Sequence, residues 1–155
     1  MNMKRRMIII SFFVRISAIT IAIVFIFSQK QHPVELDQEY YSDEVEAVDI
    51  DKSEYEKLIT DRKSFVLMVD NPGCTTTEKM RRMLENLELN FKYYRIMWQD
   101  ARETNLKDYI KYFPSIVIIK KGRVVSYLRA DSDEDTKYYN NGPDLKDWLE
   151  AHVKF

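Results

Sequence analysis

Apolar residues are arranged in two different ways along this chain. From Met7 to Phe27 they run almost unbroken, MIIISFFVRISAITIAIVFIF, whereas beyond residue 44 they recur in short bursts separated by polar turns. The bursts alternate between strand-like and helix-like spacing. Val45–Ile50 reads as a short strand, and Asp51–Arg62 as a helix with Tyr55, Leu58 and Ile59 on one face. Lys63-Ser64 turns the chain into Phe65–Asp70, whose unbroken hydrophobicity predicts a strand covered on both faces. Thr75–Leu89 places Met80, Met83, Leu84 and Leu87 at spacings of three and four, a second helix. Phe91–Trp98 follows as a strand, and Asp100–Tyr112, with Leu106, Tyr109 and Ile110, as a third helix. A Phe113-Pro114-Ser115 turn feeds the buried run Ile116–Ile119. Lys121-Gly122 then makes a tight turn into Arg123–Leu128, so these two strands form an antiparallel hairpin. Pro143 stands near the first turn of a closing helix, Asp144–Val153, with Leu145, Trp148 and Leu149 inward. The order is βαβαβαββα, an α/β domain over residues 45–155.

The 21 residues from Met7 to Phe27 match the roughly 20 that cross a bilayer as a helix. Arg15 opposes insertion by roughly 2.5–3.5 kcal/mol, while each Ile, Phe or Val favours it by roughly 0.3–0.6. Eight Ile, four Phe and two Val outweigh the arginine, which can also extend toward the interface. A cleaved signal peptide is the rival reading. Ile26-Phe27-Ser28-Gln29-Lys30, however, offers no pair of small residues for cleavage and no cysteine for lipidation. Lys4, Arg5 and Arg6 against Lys30 alone on the far flank put the N-terminus, residues 1–6, in the cytoplasm. The expectation is a single-pass protein of the cytoplasmic membrane with its C-terminal domain extracytoplasmic. Residues 28–44, with His32-Pro33 and five acids from Glu35 to Glu44, show no apolar period and read as an acidic tether.

Charge excludes one class of partner. Four of the 24 basic residues lie within residues 1–27 with no acid beside them, so the remainder is acidic, 20 bases against 25 acids. That balance gives no electrostatic footprint for nucleic acid.

The chemistry concentrates at Cys74, the only cysteine. It sits in Asn71-Pro72-Gly73-Cys74-Thr75-Thr76-Thr77, between the apolar strand and the second helix. A cysteine at a helix N-terminus meets unpaired backbone N–H groups and the positive end of the dipole, which favour thiolate. Thr77, one turn on, can donate a hydroxyl hydrogen bond to that sulfur. With no second cysteine there is no internal disulfide. Any mixed disulfide must be resolved by an external thiol.

The strand, Pro-Gly-Cys-x-x-Thr and helix, then hydrophobic-Pro-Ser-Ile 40 residues later, then the Lys-Lys-Gly-Arg hairpin, resemble a thioredoxin over residues 45–155. The resemblance implies a thioredoxin-like fold and thiol–disulfide exchange. It also implies that Pro114 follows a cis bond and packs beside Cys74, with Gly73, Thr75 and Phe113 shaping the substrate groove. The departures are informative. Thr77 stands where the second thiol belongs, Gly73 replaces Trp, Thr75-Thr76 replaces Gly-Pro, and Met68 occupies the position of a buried acid. The single-cysteine motif is also similar to glutaredoxins and the arsenate-reductase-like branch. The whole architecture resembles membrane-anchored thioredoxin-like accessories of bacterial peptide export.

Two functions follow as alternatives. One is monothiol redox work on exported or membrane proteins carrying disulfides or thiols, completed by an external reductant, with Cys74, Thr77 and Pro114 as the site. The other is a redox-inactive accessory of a membrane transport or secretion system that binds extended peptides in the same groove. No cofactor is expected. Asp131, Asp133 and Asp135 alternate as in a calcium loop, but Thr136 replaces the glycine and Gly142 the closing Glu. His32 and His152 have no second ligand in view for zinc. The long Ala130–Gly142 connection, with Tyr138-Tyr139, reads as a partner-facing insertion.

Overall fold

The computed structural model describes residues 32–155. The apolar run 7–27, expected as a membrane span, and residues 1–6, expected on its cytoplasmic side, lie outside the described residues. Among the described residues no helix is long and apolar enough to cross a membrane.

The strands are β1 (Val34–Glu35), β2 (Glu46–Ile50), β3 (Phe65–Asp70), β4 (Lys92–Met97), β5 (Ser115–Lys120), β6 (Arg123–Tyr127) and β7 (Val153–Lys154). The helices are α1 (Lys52–Thr60), α2 (Thr75–Glu85), α3 (Trp98–Ala101) and α4 (Gly142–His152). Five strands form one mixed sheet in the order β2-β4-β3-β5-β6, with β2, β4 and β3 mutually parallel and β5 and β6 antiparallel. Every residue of β3 is buried, the consequence of a central strand with helices over both faces. Around it pack Met80 and Leu84 of α2, Ile96 of β4, Ile116–Ile119 of β5, and Leu145 and Leu149 of α4.

Local chemistry explains the element ends. Asp51 and Glu54 form a reciprocal capping box, Asp51 Oδ1 accepting from the Glu54 N–H at 2.9 Å and Glu54 Oε2 from the Asp51 N–H at 3.0 Å. The β5–β6 hairpin turns on Lys121 and Gly122, both at positive φ, 50° and 74°. Gly122 is obligatory there, because a Cβ would lie 2.4 Å from the Ile59 carbonyl oxygen. The α2 helix ends at Glu85, four residues before the expected stop, and the side chain of its C-cap, Asn86, donates to the Arg82 carbonyl oxygen at 2.6 Å.

Three expectations need correction. The helix expected over Asp100–Tyr112 is one short turn, α3, followed by a 3₁₀ turn at Asn105–Asp108. Thr104 breaks it: its hydroxyl donates to the Ala101 carbonyl at 2.8 Å and accepts from the Leu106 N–H at 3.1 Å, replacing main-chain helix bonds. The segment expected as a solvated tether is, from Val34 to Tyr41, part of the fold. Val34, Leu36 and Tyr40 are buried, β1 pairs in parallel with β7, and Asp37 Oδ2 accepts from the Ser64 N–H at 3.0 Å. The third concerns the Ala130–Gly142 connection, which turns partly inward. Tyr139 is buried, and Tyr138 packs on Trp148 with ring centroids 6.3 Å apart.

Candidate functional site

The site lies at the end of the sheet where β3 gives way to α2. Asn71-Pro72-Gly73-Cys74 is a turn closed by the Cys74 N–H donating to the Asn71 carbonyl at 3.2 Å. Gly73 takes φ 79°. That is the third position of a type II turn, which requires a left-handed residue, and proline suits the second. The turn sets Cys74 as the N-cap of α2, in extended backbone with its carbonyl accepting the first helical bond from Glu78 at 3.1 Å. Sequence and turn chemistry thus put the sulfur where a helix exposes its free amides.

Cys74 is half-buried. Its thiol is held below the ordinary thiol value, first by the backbone N–H of Thr77 and then by that of Thr76, against partial burial that raises it. The hydroxyls of Thr77 and Thr76 lower it further but less. Sγ makes no cap hydrogen bond of regular geometry, and the fully buried Thr77 Oγ1 has no hydrogen-bond partner. The thiolate is therefore favoured by the field of converging amides more than by any single short bond. A lowered thiol pKa raises the share of thiolate, which is the nucleophilic form.

The Phe113-Pro114 bond is cis. Val69 of β3 pairs with Ser115 of β5, so Pro114 lies at the same end of the sheet as the Cys74 turn, and it is buried. The parallel pairing of Asp70 with Met97 brings the end of β4 there too. Phe113 stacks on Trp98 at 5.8 Å between centroids, and the Arg102 guanidinium sits 5.2 Å over the Trp98 ring. Thus the fold gathers Cys74, Thr77, Phe113 and Pro114 on one edge of the molecule and adds Met97, Trp98 and Arg102, which sequence reasoning left out. Their signal was present: once β3 and β4 are read as parallel neighbours, their C-terminal ends must adjoin.

Thr75 opens an adjacent groove of about 820 Å³ between α2 and the start of α4, floored by Met83, Leu87 and Pro143. Gly73 stands in open space, with nothing within 4 Å of where a Cβ would lie. Gly73 therefore places no side chain beside Cys74.

Beneath the site Asp70, 2 % exposed, is paired with Arg81 of α2, which also bonds Glu78 Oε1 at 3.1 Å. Asp70 Oδ1, Arg81 Nε and the Tyr93 hydroxyl are all buried without hydrogen-bond partners. The pair fastens the first turns of α2 to the end of β3. Asp70 turns toward the helix, and Met68, where the thioredoxin resemblance implies an acid in other chains, is apolar and buried. Of the alternating acids, Asp135 is spent on the chain itself: its Oδ2 accepts from the Arg129 N–H at 2.8 Å.

No family model and no curated protein matches the sequence. Among solved structures the chain is similar to the thioredoxin NaTrxh from Nicotiana alata, at 10% identity and TM-score 0.52, over 73% of this chain and 97% of that one. It is likewise similar to thioredoxin O1 from Arabidopsis thaliana in the oxidized state, at 13% identity and TM-score 0.52, over 70% and 99% of the two chains. The described residues have a thioredoxin-like α/β fold.

Proposed function

We propose that this is a membrane-anchored protein that performs thiol–disulfide exchange through one cysteine, outside the cytoplasmic membrane, on exported or membrane proteins. The observation that carries the reading is the half-buried Cys74 capping α2, with its thiol lowered by the Thr77 amide. The Cys74 thiolate attacks one sulfur of a substrate disulfide. A new bond forms between Cys74 Sγ and that sulfur, and the other substrate sulfur leaves as a thiolate that takes up a proton. An external thiolate then attacks Cys74 Sγ, releasing the second substrate sulfur as a thiol and leaving Cys74 bonded to the external sulfur; a second external thiolate attacks that external sulfur, forming an external disulfide and freeing the Cys74 thiolate. Two electrons pass from external thiols to substrate, and the chain itself is unchanged. Thr77 supplies polarity beside the sulfur, and Pro114 with Phe113 and Gly73 shapes the face that an extended polypeptide meets. The apolar run 7–27 supports the anchor, and the three cations at residues 4–6 support its orientation.

The α2/α4 groove opening at Thr75 favours the second reading, an accessory protein of a membrane transport or secretion system that binds peptide without redox turnover. Non-reducing electrophoresis of the full chain, isolated with its neighbours after acid quenching, separates the two. Covalent adducts that vanish with reductant and with Cys74→Ser support exchange. An absence of adducts, together with a Cys74 titration near the free value of about 8.5, leaves only the peptide-binding reading.

A further inference from the structure

The opposite end of the sheet carries charge with no internal use. Although the described residues hold 19 bases against 25 acids, a cleft of about 700 Å³ is lined by Arg62, Lys120 and Lys121 beside Pro33 and Leu36. Of the two acids in its wall, Glu35 is offset by a lysine, while Asp37 is held by the main chain and keeps its charge. Asp37 accepts from the Ser64 N–H at 3.0 Å, and Glu35 Oε1 lies 3.5 Å from Lys154 Nζ. Arg62, Lys120, Lys121 and Arg123 form no ion pair among the described residues. Lys120 and Arg123, moreover, are direct cross-strand partners, an arrangement of like charges that disfavours the hairpin. Among the described residues Arg62 and Lys121 are the two non-glycine residues with positive φ, so two left-handed turns present these cations together. Three cations in the cleft against one uncompensated carboxylate, with Arg123 opposite Lys120 on the neighbouring strand, give an excess of positive charge suited to an anion from outside.

The chain indicates which anion. The apolar run ends at Phe27, six residues before Pro33 on the rim of this cleft, and six residues span at most about 21 Å. Resting on the anchor reading proposed above, we infer that the Arg62/Lys120/Lys121 end docks on anionic phospholipid headgroups of the membrane that holds the chain. β3 runs from the Ser64 side of this cleft to the Cys74 turn, roughly 20 Å at 3.3 Å per residue. Docking at one end therefore holds Cys74 at the other, facing away from the bilayer and open to soluble polypeptides. Clustered cations at a bilayer surface act in this way and are sensitive to salt.

The test uses the full chain reconstituted into vesicles of phosphatidylcholine alone or with one-third phosphatidylglycerol. Alkaline-wash flotation reads the anchor. Acylation rates of Lys120 and Lys121, followed by mass spectrometry against Lys107 and Lys111, read the docking. Acylation of Lys120 and Lys121 should slow about threefold in the anionic vesicles and recover at about 0.5 M salt, with Lys107 and Lys111 unchanged. The pair Arg62→Asn and Arg123→Gln, with Asn chosen because it tolerates positive φ and folding checked by circular dichroism, should remove the protection. Equal rates in both lipids with flotation intact overturn the docking and leave the anchor standing, as does full protection in the double variant. Stronger protection by polyglutamate than by anionic vesicles also overturns it, in favour of an acidic polypeptide. Loss of the chain in the alkaline wash refutes the anchor reading and the docking with it.

Discussion

Removing Arg81 should damage this protein far more than removing Asp70, although the two form one ion pair. The Asp70 side chain is 3% exposed and that of Arg81 is 23% exposed, so the two ends face different media. Arg81→Met leaves a carboxylate enclosed by core with no cation and with Oδ1 already unpartnered. Breaking a buried pair in this manner costs about 3–5 kcal/mol, and access through the vacated arginine channel places this case near the lower figure. Asp70→Leu leaves a guanidinium that still bonds Glu78 at 3.1 Å and can reach water, a loss of about 1 kcal/mol. The double variant replaces both with apolar groups and should lie within about 1 kcal/mol of the parent. Urea unfolding of the full chain in detergent gives all four corners of the cycle. The single Arg81→Met corner should fall by roughly 10–15 °C in parallel thermal melts. Because the pair fastens α2 to β3, Arg81→Met should also slow alkylation of Cys74 at neutral pH. Equal losses for the two single variants, or a double variant worse than Arg81→Met, would refute the argument from unequal burial.

Other expectations follow from the same geometry. Thr77→Cys places thiols at the N-cap and third residue of α2, within the reach of a disulfide; oxidation should take free thiols from two to none, and a persistent count of two would show the first turn cannot close. The lowered Cys74 thiol is an acid with a depressed folded value, so its stabilisation is present above the unfolded thiol value and is lost as pH falls through the folded one. Parent minus Cys74→Ser stability should thus rise between pH 6 and about 9, and a flat difference in urea midpoints contradicts the assigned shift. Gly73→Ala and Gly122→Ala both force alanine to positive φ, at about 1–2 kcal/mol. Only at Gly122 does a backbone oxygen stand 2.4 Å from the new Cβ, so its urea midpoint should fall clearly further. Tyr93→Phe deletes a buried hydroxyl without a partner, and stability should hold or rise by up to about 1 kcal/mol; a drop of that size would reveal a bond to the hydroxyl.

What the sequence revealed was what is decided locally. The β3 run declares itself because every position is apolar up to Asp70, and the Lys121-Gly122 hairpin because a left-handed turn needs that glycine. The Cys74 N-cap is legible because Asn-Pro-Gly dictates a type II turn immediately before a helical period. Misreadings arose where a nearby side chain or a distant strand decides. Leu106, Tyr109 and Ile110 carry helical spacing, yet Thr104 captures the main-chain groups that a helix would need. Val34, Leu36 and Tyr40 are too sparse among acids to show a period, and only β7, more than a hundred residues away, makes Val34–Glu35 a strand. The Asp70–Arg81 pair was invisible for a related reason: a single acid at a strand end and a single base on a helix have many possible partners until the helix is laid on the sheet.

Threonine rather than cysteine at position 77 therefore has a more limited effect on the thiolate than comparison with a dithiol motif suggests. A second cysteine would close the exchange cycle, but it is not what favours the Cys74 thiolate. That comes from backbone amides of the first α2 turn, chiefly that of Thr77 itself, and an amide is supplied by any non-proline residue at this position. Threonine supplies that amide, fills the buried space beneath the turn, and lacks only a sulfur that could resolve a mixed disulfide. On the proposed function, the chain offers one thiol favoured as thiolate and relies on an external thiol for the other half of the cycle. An apolar residue at Thr77 should accordingly leave much of the Cys74 thiolate intact, whereas a proline there, which takes the amide away, should abolish most of it. Titrating Cys74 by thiolate absorbance in Thr77→Val and Thr77→Pro decides between amide and hydroxyl: a large upward shift in the valine variant would transfer the credit to the side chain.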